Sequence, residues 1–191
     1  MKVGILGGGQ LGRMLLQAAA NYDLTTYVLE KDPYCPAAHL CHHFSEGDIL
    51  DYDTVYQFGK QLDALTIEIE AVNVDALTQL EKEGVKIYPT PSAIRTIKNK
   101  IAQKQFYADN AIPTSNFVIT HSVNEIQKHL SLLPAVHKLA EGGYDGKGVQ
   151  VIEDEKAIAL GFDAPAVLEE KVSIVKELAL IVGMNAKGET V

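Results

Sequence analysis

Residues 4–14 of the chain read GILGGGQLGRM, which contains the glycine spacing G-x-G-x-x-G at positions 7–12. The apolar residues 3–6 precede it, so the pattern predicts a buried strand that turns into a helix whose first N–H groups face a phosphate. A second apolar run ends in Glu30, where dinucleotide-binding domains keep the carboxylate that holds a ribose hydroxyl. Taken alone, these residues favour a nicotinamide dinucleotide site.

A second glycine-rich segment, EGGYDGKG at residues 141–148, lies between two β-rich runs. Its amides can wrap a polyphosphate, and Lys138 on the preceding run would supply a positive charge beside it. The segment lacks the Gly-Lys-Ser/Thr step into a helix that defines a Walker A loop. A long β-hairpin turn is the alternative interpretation, because glycine-rich turns are common.

The 191 residues carry a formal net charge of −8, with 47% hydrophobic and 22% charged residues. This composition predicts a globular protein of one or two domains and argues against a nucleic-acid binder, which needs a basic face. A small anionic ligand would therefore need local lysines. Arg95, Lys98, Lys100 and Lys104 form such a basic run, for which a solvated helix face is the alternative.

Two cysteines, Cys35 and Cys41, are too few for a disulfide framework and fit a reducing cytoplasm. They share residues 35–43 with three histidines, so a zinc site is conceivable, although the spacing matches no standard zinc pattern. No apolar run approaches the roughly 18 residues that cross a bilayer, and no signal-peptide layout is present. We therefore expect a cytoplasmic protein.

Up to about residue 90, short β-rich runs alternate with helix-like stretches. We predict strands over 3–6, 25–29, 64–69 and 85–88, and helices over 10–21, 51–61 and 74–83. This alternation predicts a parallel sheet covered on both faces. The segment between the second strand and the second helix reads as an irregular loop.

The alternation of short strands and helices ends at Thr90, Pro91 and Ser92. One long helix is predicted over 93–110, within a connector over 91–114. Further on we predict strands over 117–120, 135–139, 149–152, 166–172 and 177–182, and helices over 123–132 and 153–160. These elements predict a small α+β unit. The sequence ends in what reads as a hairpin at 185–188 that enters another strand, so we expect a fragment.

GGGQLGRM at 7–14, EIE at 68–70 and GGYDGKG at 142–148, in this order and spacing, resemble the N5-carboxyaminoimidazole ribonucleotide synthetase family of ATP-grasp enzymes. Each motif is weak alone, whereas QLGRM together with GGYDGKG is specific. The resemblance covers the whole sequence. It implies an α/β protein in which a Rossmann-like pre-ATP-grasp domain with a parallel sheet precedes a small α+β ATP-grasp lid domain.

The resemblance also implies where the domains lie. The substrate-binding Rossmann-like domain would occupy residues 1–90 and the helical connector 91–114. The lid would occupy 115–172, and the start of a truncated third ATP-grasp domain 173–191.

Family chemistry joins bicarbonate to the exocyclic amine of 5-aminoimidazole ribonucleotide while ATP becomes ADP and phosphate. Phosphorylation converts bicarbonate, a poor electrophile, into carboxyphosphate, and a closing lid keeps water from this intermediate. The implied cofactors are ATP and Mg²⁺, with the Mg²⁺ ligands in a C-terminal part, so no metal ligand is assigned in this chain. A homodimer is implied for the full-length protein, and this N-terminal portion by itself would lack activity.

Residue by residue, the resemblance implies a nucleotide site in the second half of the chain. Lys138 would contact the ATP phosphates and Lys100 would reach the nucleotide. Glu169 would take the adenine amino group, and Glu177 would hold the ribose hydroxyls. The flap over the phosphates would comprise Gly143, Tyr144, Asp145, Gly146, Lys147, Gly148 and Val149, and the hinge strand Glu169, Glu170, Lys171 and Val172.

The resemblance implies catalytic roles for Tyr144, Asp145 and Lys147, which would face the ribonucleotide and bicarbonate; for Lys147, a solvated flap residue is the alternative. The substrate pocket would be formed by Gly8, Gly9, Gln10 and Leu11, near the ribonucleotide phosphate, with Glu68 or Glu70. Glu30 would then be a strand-end carboxylate of unassigned role.

The sequence departs from the family pattern directly after Lys138. Many members carry proline or threonine and then arginine, where this chain has Leu139, Ala140 and Glu141, which puts a phosphate contact there in doubt. His137 stands where an apolar residue is usual, and we predict a packed strand histidine.

Three other functions stay open at this level. One is another ATP-grasp ligase, such as the formate-dependent purine enzyme, whose loops differ from QLGRM and GGYDGKG. Another is an NAD-dependent oxidoreductase, which would leave EGGYDGKG unexplained. The third is a nucleotide-binding module without catalysis.

Overall fold

The computed structural model describes residues 1–143, 147–185 and 187–190. The chain forms two compact units, each with its own sheet. The first comprises Met1–Pro113 with Ala140–Gly142, and the second comprises Thr114–Leu139 with Gly143–Val191. Across the described ranges, no helix combines the length and apolarity that crossing a membrane requires.

The first unit is built on a five-stranded parallel sheet with strand order β3-β2-β1-β4-β5. Its strands are β1 (Lys2–Leu6), β2 (Thr25–Glu30), β3 (His43–Glu46), β4 (Ala64–Ile67) and β5 (Lys86–Tyr88). Its helices are α1 (Gln10–Ala19), α2 (Tyr52–Gly59), α3 (Val74–Lys82), α4 (Pro91–Lys98) and α5 (Lys100–Asp109). This confirms the predicted α/β architecture.

Both faces of the first sheet are buried. Neighbouring residues of a strand point to opposite faces, and Ile5 and Leu6 of β1 accordingly belong to two different hydrophobic clusters. The same holds for Val28 and Leu29 of β2. Strands that are buried on both sides read as continuous apolar runs, which is why β1 and β2 were recognisable in the sequence.

Two predictions for the first unit were wrong. The segment interpreted as an irregular loop contains β3, a four-residue edge strand that pairs with β2 and has no apolar run to mark it. The predicted long helix over 93–110 is two helices. Asn99 breaks it, because its backbone is extended (φ −116°, ψ 112°) and its side chain accepts the Ala102 N–H, which caps α5.

The second unit carries a four-stranded antiparallel sheet with strand order β6-β9-β7-β8. Its strands are β6 (Phe117–Thr120), β7 (Ala135–Leu139), β8 (Val149–Ile152) and β9 (Ala166–Glu170). The two predicted helices are present as 3-10 helices, Val123–Leu132 and Glu155–Leu160, and His129 kinks the first of them. The small α+β unit is thus confirmed, with different helices.

The C-terminal residues depart furthest from the prediction. β9 ends at Glu170, two residues early, and residues 177–182 form no strand in the described part of the chain. Their apolar side chains are exposed, Ile181 by 95%, and a strand is stable only when neighbours pair with it and cover it. The predicted hairpin is present as a turn that Gly188 N–H closes onto Asn185 O at 3.0 Å, next to a bridge between Met184 and Thr190.

His137 is a packed strand histidine, as predicted. The ring is fully buried on β7, where Nδ1 accepts the Phe162 N–H at 3.1 Å and Nε2 lies 2.8 Å from Thr120 Oγ1. Because Nδ1 accepts, Nε2 carries the ring proton and donates it to Thr120. Burial lowers the pKa of His137, since the apolar surroundings disfavour the charged ring.

We expect the second unit to lose stability below the ordinary histidine pKa of about 6.5. Below this pH the histidine binds a proton in the unfolded chain but stays neutral in the folded one. This difference of one proton lowers the free energy of unfolding by at most about 1.4 kcal/mol per pH unit. Chemical unfolding at pH 8 and pH 5.5 should show this loss. In His137→Gln the loss should shrink, whereas His121→Gln, which changes an exposed histidine, should keep it. Equal pH dependence in all three proteins would contradict the assignment.

Candidate functional site

The first glycine loop joins β1 to α1 at the carboxyl edge of the parallel sheet, where open α/β sheets bind their ligands. Gly7 takes a positive φ of 100°, and its N–H donates to Leu29 O at 3.0 Å. Gly8 N–H donates to Glu30 Oε2 at 3.0 Å, and Gly8 O accepts Ala37 N–H at 3.0 Å. The first half of the loop is therefore held by β2 and the segment after it.

Two positions of this loop have no room for a side chain. A Cβ atom at Gly8 would lie 2.3 Å from Cys35 Sγ, and one at Gly9 would lie 2.6 Å from Glu68 Oε1. Real Cβ atoms essentially never approach other atoms this closely. Glycine is thus required at Gly8 by the buried Cys35, whereas at Gly9 the contact is with the far end of the Glu68 side chain, which would have to move.

Glu68, and not Glu70, lies against the glycine loop. Glu68 directly follows β4, and its N–H donates to Leu6 O at 2.8 Å, which fixes it beside the end of β1. Its half-buried carboxylate has no hydrogen bond among the described residues, so its oxygens can accept donors from a ligand. Glu70 is exposed and contributes its carbonyl to a bond from Val72 N–H.

Gln10 and Leu11 begin α1, and both are exposed. The helix starts after Gly9, for which no side chain caps the first turn. The amides of a helix N-terminus are oriented to meet an acceptor on a ligand. The loop thus combines donor amides at α1 with an acceptor carboxylate at Glu68.

The residues of the basic run differ in their contacts within the first unit. Arg95 forms an exposed ion pair with Asp75 at 2.8 Å, and Lys98 Nζ donates to Val72 O at 2.7 Å. Lys104 is 7% exposed and has interaction partners. Lys100 is half buried in the first turn of α5, a site that leaves its ammonium available to a ligand.

Ala140 and Glu141, two of the three residues that depart from the family pattern, cluster with the first unit. Lys100 N–H donates to Ala140 O at 2.8 Å, and Asn99 Nδ2 donates to Glu141 Oε1 at 2.8 Å. The Glu141 side chain is therefore engaged with the start of α5.

In the second unit, Lys138 and Glu169 form an ion pair across β7 and β9. Lys138 Nζ lies 3.1 Å from Glu169 Oε2, which also accepts Ser115 Oγ–H at 3.1 Å. The Glu169 side chain is 10% exposed and that of Lys138 is 30% exposed. The carboxylate thus fixes the ammonium at the end of the strand that enters the second glycine loop.

The second glycine loop joins β7 and β8, which form an antiparallel hairpin. Leu139 N–H donates to Gly148 O at 2.9 Å and closes its base. Gly148 has a φ of 79°, and a Cβ there would lie 3.0 Å from Gly143 Cα. Lys147 is exposed, with interaction partners, and Val149 begins β8. The predicted site residues Tyr144, Asp145 and Gly146 lie outside the described residues.

The predicted hinge residues follow the Lys138–Glu169 pair. Glu170 Oε2 accepts Asn116 Nδ2–H at 2.7 Å, and Lys171 pairs with Glu153 at 2.5 Å. Val172 is 59% exposed, and Glu177 lies in the exposed segment after β9. The second unit therefore brings Lys138, Glu169 and the flap base together, whereas Glu177 is exposed and makes no hydrogen bond or ion pair with the described residues.

The cysteine and histidine loop is used for packing. Cys35 is buried against Gly8, and His42 Nδ1 lies 2.8 Å from Thr26 Oγ1. Burial raises the pKa of Cys41, which disfavours the thiolate that would bind a metal. Within the described ranges, no three cysteine, histidine, aspartate or glutamate side chains are grouped as a metal site would require.

Sequence reasoning left Glu30 without a role, although it holds the loop. The signal available was its position at the end of β2, which is shared by ribose-binding carboxylates. Only the hydrogen bond to Gly8 distinguishes the two roles.

Comparison with protein families matches both units. Residues 1–98 match the ribonucleotide synthetase pre-ATP-grasp domain, and residues 105–191 match the ATP-grasp domain. The N5-carboxyaminoimidazole ribonucleotide synthase of Synechococcus elongatus is 32% identical over 97% of this chain and 49% of its own length. The chloroplastic phosphoribosylaminoimidazole carboxylase of Vigna aconitifolia is 36% identical over 94% of this chain and 33% of its own length.

Solved structures give the same result. The N5-carboxyaminoimidazole ribonucleotide synthetase of Thermotoga maritima superposes with a TM-score of 0.90 at 32% identity, over 99% of this chain and 51% of its own. The synthase of Aspergillus clavatus in complex with ADP and 5-aminoimidazole ribonucleotide superposes with a TM-score of 0.84 at 32% identity, over 99% and 51%. The chain spans about half the length of these proteins. It belongs to the N5-carboxyaminoimidazole ribonucleotide synthetase family of the ATP-grasp superfamily.

Proposed function

We propose that the protein carrying this chain uses ATP to carboxylate 5-aminoimidazole ribonucleotide with bicarbonate, yielding N5-carboxyaminoimidazole ribonucleotide, ADP and phosphate. The observation that carries the proposal is the β7–β8 hairpin. Lys138 lies on β7 just before the glycine flap, and the buried Glu169 carboxylate holds its ammonium. The similarity of 99% of this chain to an enzyme solved with ADP and 5-aminoimidazole ribonucleotide also supports the proposal.

On the nucleotide side, Lys138 binds the ATP phosphates and the flap amides of Gly143 and of residues 146–149 wrap them. Fixed positive charge and oriented amides suit phosphoryl transfer, which needs positioning and charge neutralisation more than covalent chemistry. Because the Glu169 carboxylate is engaged with Lys138, we assign the adenine edge to the backbone of the hinge, Glu169 to Val172. Lys100 reaches the nucleotide from α5, and Glu177 holds the ribose hydroxyls.

On the substrate side, the ribonucleotide lies against Gly8 to Leu11, with Glu68 accepting hydrogen bonds from its N–H or O–H groups. The half-buried Glu68 carboxylate supports this polarity, since an acceptor beside the loop attracts donors and repels a phosphate. We therefore place the ribonucleotide phosphate away from Glu68, toward the exposed first turn of α1. Glu70 contributes at the rim of the same edge.

The reaction runs in two steps that balance. A bicarbonate oxygen attacks the γ-phosphorus of ATP, ADP leaves, and carboxyphosphate forms. The amine then attacks the carboxyl carbon, phosphate leaves with the bond electrons, and the amine nitrogen releases one proton to the departing phosphate or to solvent. Tyr144, Asp145 and Lys147 of the flap face the reacting groups and exclude water. Mg²⁺ would neutralise phosphate charge, and we propose that its ligands lie in a C-terminal part of the full-length protein.

The remaining assignments follow from the family and composition. We propose a substrate-binding domain over 1–90, a connector over 91–114, a lid over 115–172 and the start of a third domain at 173–191. The partners are small molecules and a second copy of the full-length protein, in a reducing compartment such as the cytoplasm, where free Cys35 and Cys41 persist.

One alternative has a specific observation against it, and two others are separated by experiment. A nicotinamide dinucleotide would need Glu30 for a ribose hydroxyl, whereas this carboxylate is engaged with three backbone N–H groups. Another ATP-grasp ligase would use a different acceptor molecule at the glycine loop. A module that binds ATP without turnover would release no ADP.

The first test is ADP release by the protein carrying this chain. We expect release that requires both 5-aminoimidazole ribonucleotide and bicarbonate, because phosphorylated bicarbonate has no other productive acceptor in the site. A coupled ADP assay with each substrate omitted in turn measures this. Release that ignores the ribonucleotide would point to another ligase, and nucleotide binding without release would point to a binding module.

Lys138→Met should weaken nucleotide binding about tenfold or more, because it removes the fixed charge and leaves Glu169 buried without that partner. Titration calorimetry with ADP measures the change. Lys156→Met is the matched control, since Lys156 is an exposed lysine of the same unit. Equal affinity in the two variants would remove Lys138 from the nucleotide site.

Glu68→Gln should raise the KM for 5-aminoimidazole ribonucleotide about tenfold, because an amide replaces a charged acceptor. The KM for ATP should stay the same. Glu70→Gln should have the smaller effect, since Glu70 is exposed and Glu68 lies against the loop. Steady-state kinetics with either substrate varied decide between them, and a larger effect at Glu70 would reverse the assignment.

A further inference from the structure

Glu30 uses both carboxylate oxygens inside the protein. Oε2 accepts the Gly8 N–H at 3.0 Å, and Oε1 accepts the Lys31 N–H at 2.7 Å and the Asp32 N–H at 3.4 Å. The side chain is half buried at the end of β2. These bonds are charge-assisted, which makes them stronger than bonds between neutral groups.

Gly8 is held on both sides by this arrangement. Its N–H is taken by Glu30 and its C=O by Ala37 N–H at 3.0 Å, while Cys35 fills the space where a side chain would be. The preceding amide, Gly7 N–H, donates to Leu29 O. Both early amides of the loop are therefore unavailable to a ligand.

The donors left to a ligand are the amides that follow, at the first turn of α1. Glu30 holds Gly8 N–H and Ala37 holds Gly8 C=O, so the peptides on both sides of Gly8 are fixed. The planar Gly8–Gly9 peptide then sets the direction in which the chain enters α1 at its N-cap, Gly9. A shift of about 1 Å in a positioning group is enough to lower the rate of an enzyme by a large factor.

We propose that Glu30 is a positioning residue of the substrate loop, which fixes Gly8 so that the amides of Gln10 and Leu11 meet the ribonucleotide. The same contacts disfavour dinucleotides, because three backbone N–H groups already occupy most of the acceptor capacity that Glu30 could offer to a ribose hydroxyl. This inference rests on the proposed function for the identity of the ligand. The clamp on Gly8 itself does not depend on that identity.

Glu46 provides a matched control. It is the register partner of Glu30 on β3, at the same edge of the sheet, and it is exposed with no hydrogen bond or ion pair in the described residues. Glu30→Ala and Glu46→Ala thus remove the same charge from neighbouring strand ends, and only the first removes the bond to Gly8.

The first measurement is hydrogen exchange of the Gly8 amide by NMR. We expect exchange about tenfold faster in Glu30→Ala and unchanged in Glu46→Ala, since only Glu30 accepts this N–H. Glu30→Gln serves if the alanine variant folds poorly. Its single amide oxygen cannot serve Gly8 and Lys31 together, so exchange at one of these two amides should increase.

The second measurement is the KM for each substrate in the active protein. We expect Glu30→Ala to raise the KM for 5-aminoimidazole ribonucleotide about tenfold and to leave the KM for ATP unchanged. Unchanged Gly8 exchange, or an equal rise of both KM values, would overturn the proposal. If the unsubstituted protein shows no ribonucleotide-dependent ADP release, the proposed function fails, and Gly8 exchange alone then decides whether the clamp exists.

Discussion

The pairing of β1 with β2 and β4 is the constraint on which the first unit depends. Parallel pairing brings the ends of these strands to one edge, and so places Gly7, Glu30 and Glu68 together although up to 61 residues separate them. A shift of this register by one residue would turn Glu30 or Glu68 to the opposite face of the sheet. The two hydrophobic clusters that cover the faces hold the register, because such a shift would take Leu6 and Leu29 out of the cluster in which they pack.

Charge distribution explains how an acidic protein can hold anionic ligands. The glycine loop of the first unit carries an acceptor carboxylate, and the lysine of the second unit is paired with one. Removing both charges of such a pair from water costs free energy, and separating them would leave the Glu169 carboxylate buried without Lys138. Glu169 therefore holds Lys138 in one place. Lys138 thus supplies one fixed positive charge in a chain whose net charge is −8.

The two glycine-rich loops have the same composition and different physical reasons for it. In the first loop, Gly8 is required because the buried Cys35 occupies the space of a side chain. In the second, Gly148 provides a left-handed backbone at the base of a hairpin. The first loop is rigid at Gly8 and suits a preformed pocket, whereas a hairpin flap anchored at its base suits a lid.

The sequence by itself determined the strands β1 and β2, the two-unit order and the family, because buried parallel strands are continuous apolar runs and the two glycine motifs occur together. It did not reveal β3, which lacks an apolar run, or the break at Asn99, where a side-chain cap overrides helix propensity. Tertiary structure alone decided that Glu68 rather than Glu70 lies against the loop and that Glu30 holds Gly8. These choices depend on which atoms meet across the sheet edge, and no local pattern in the chain records them.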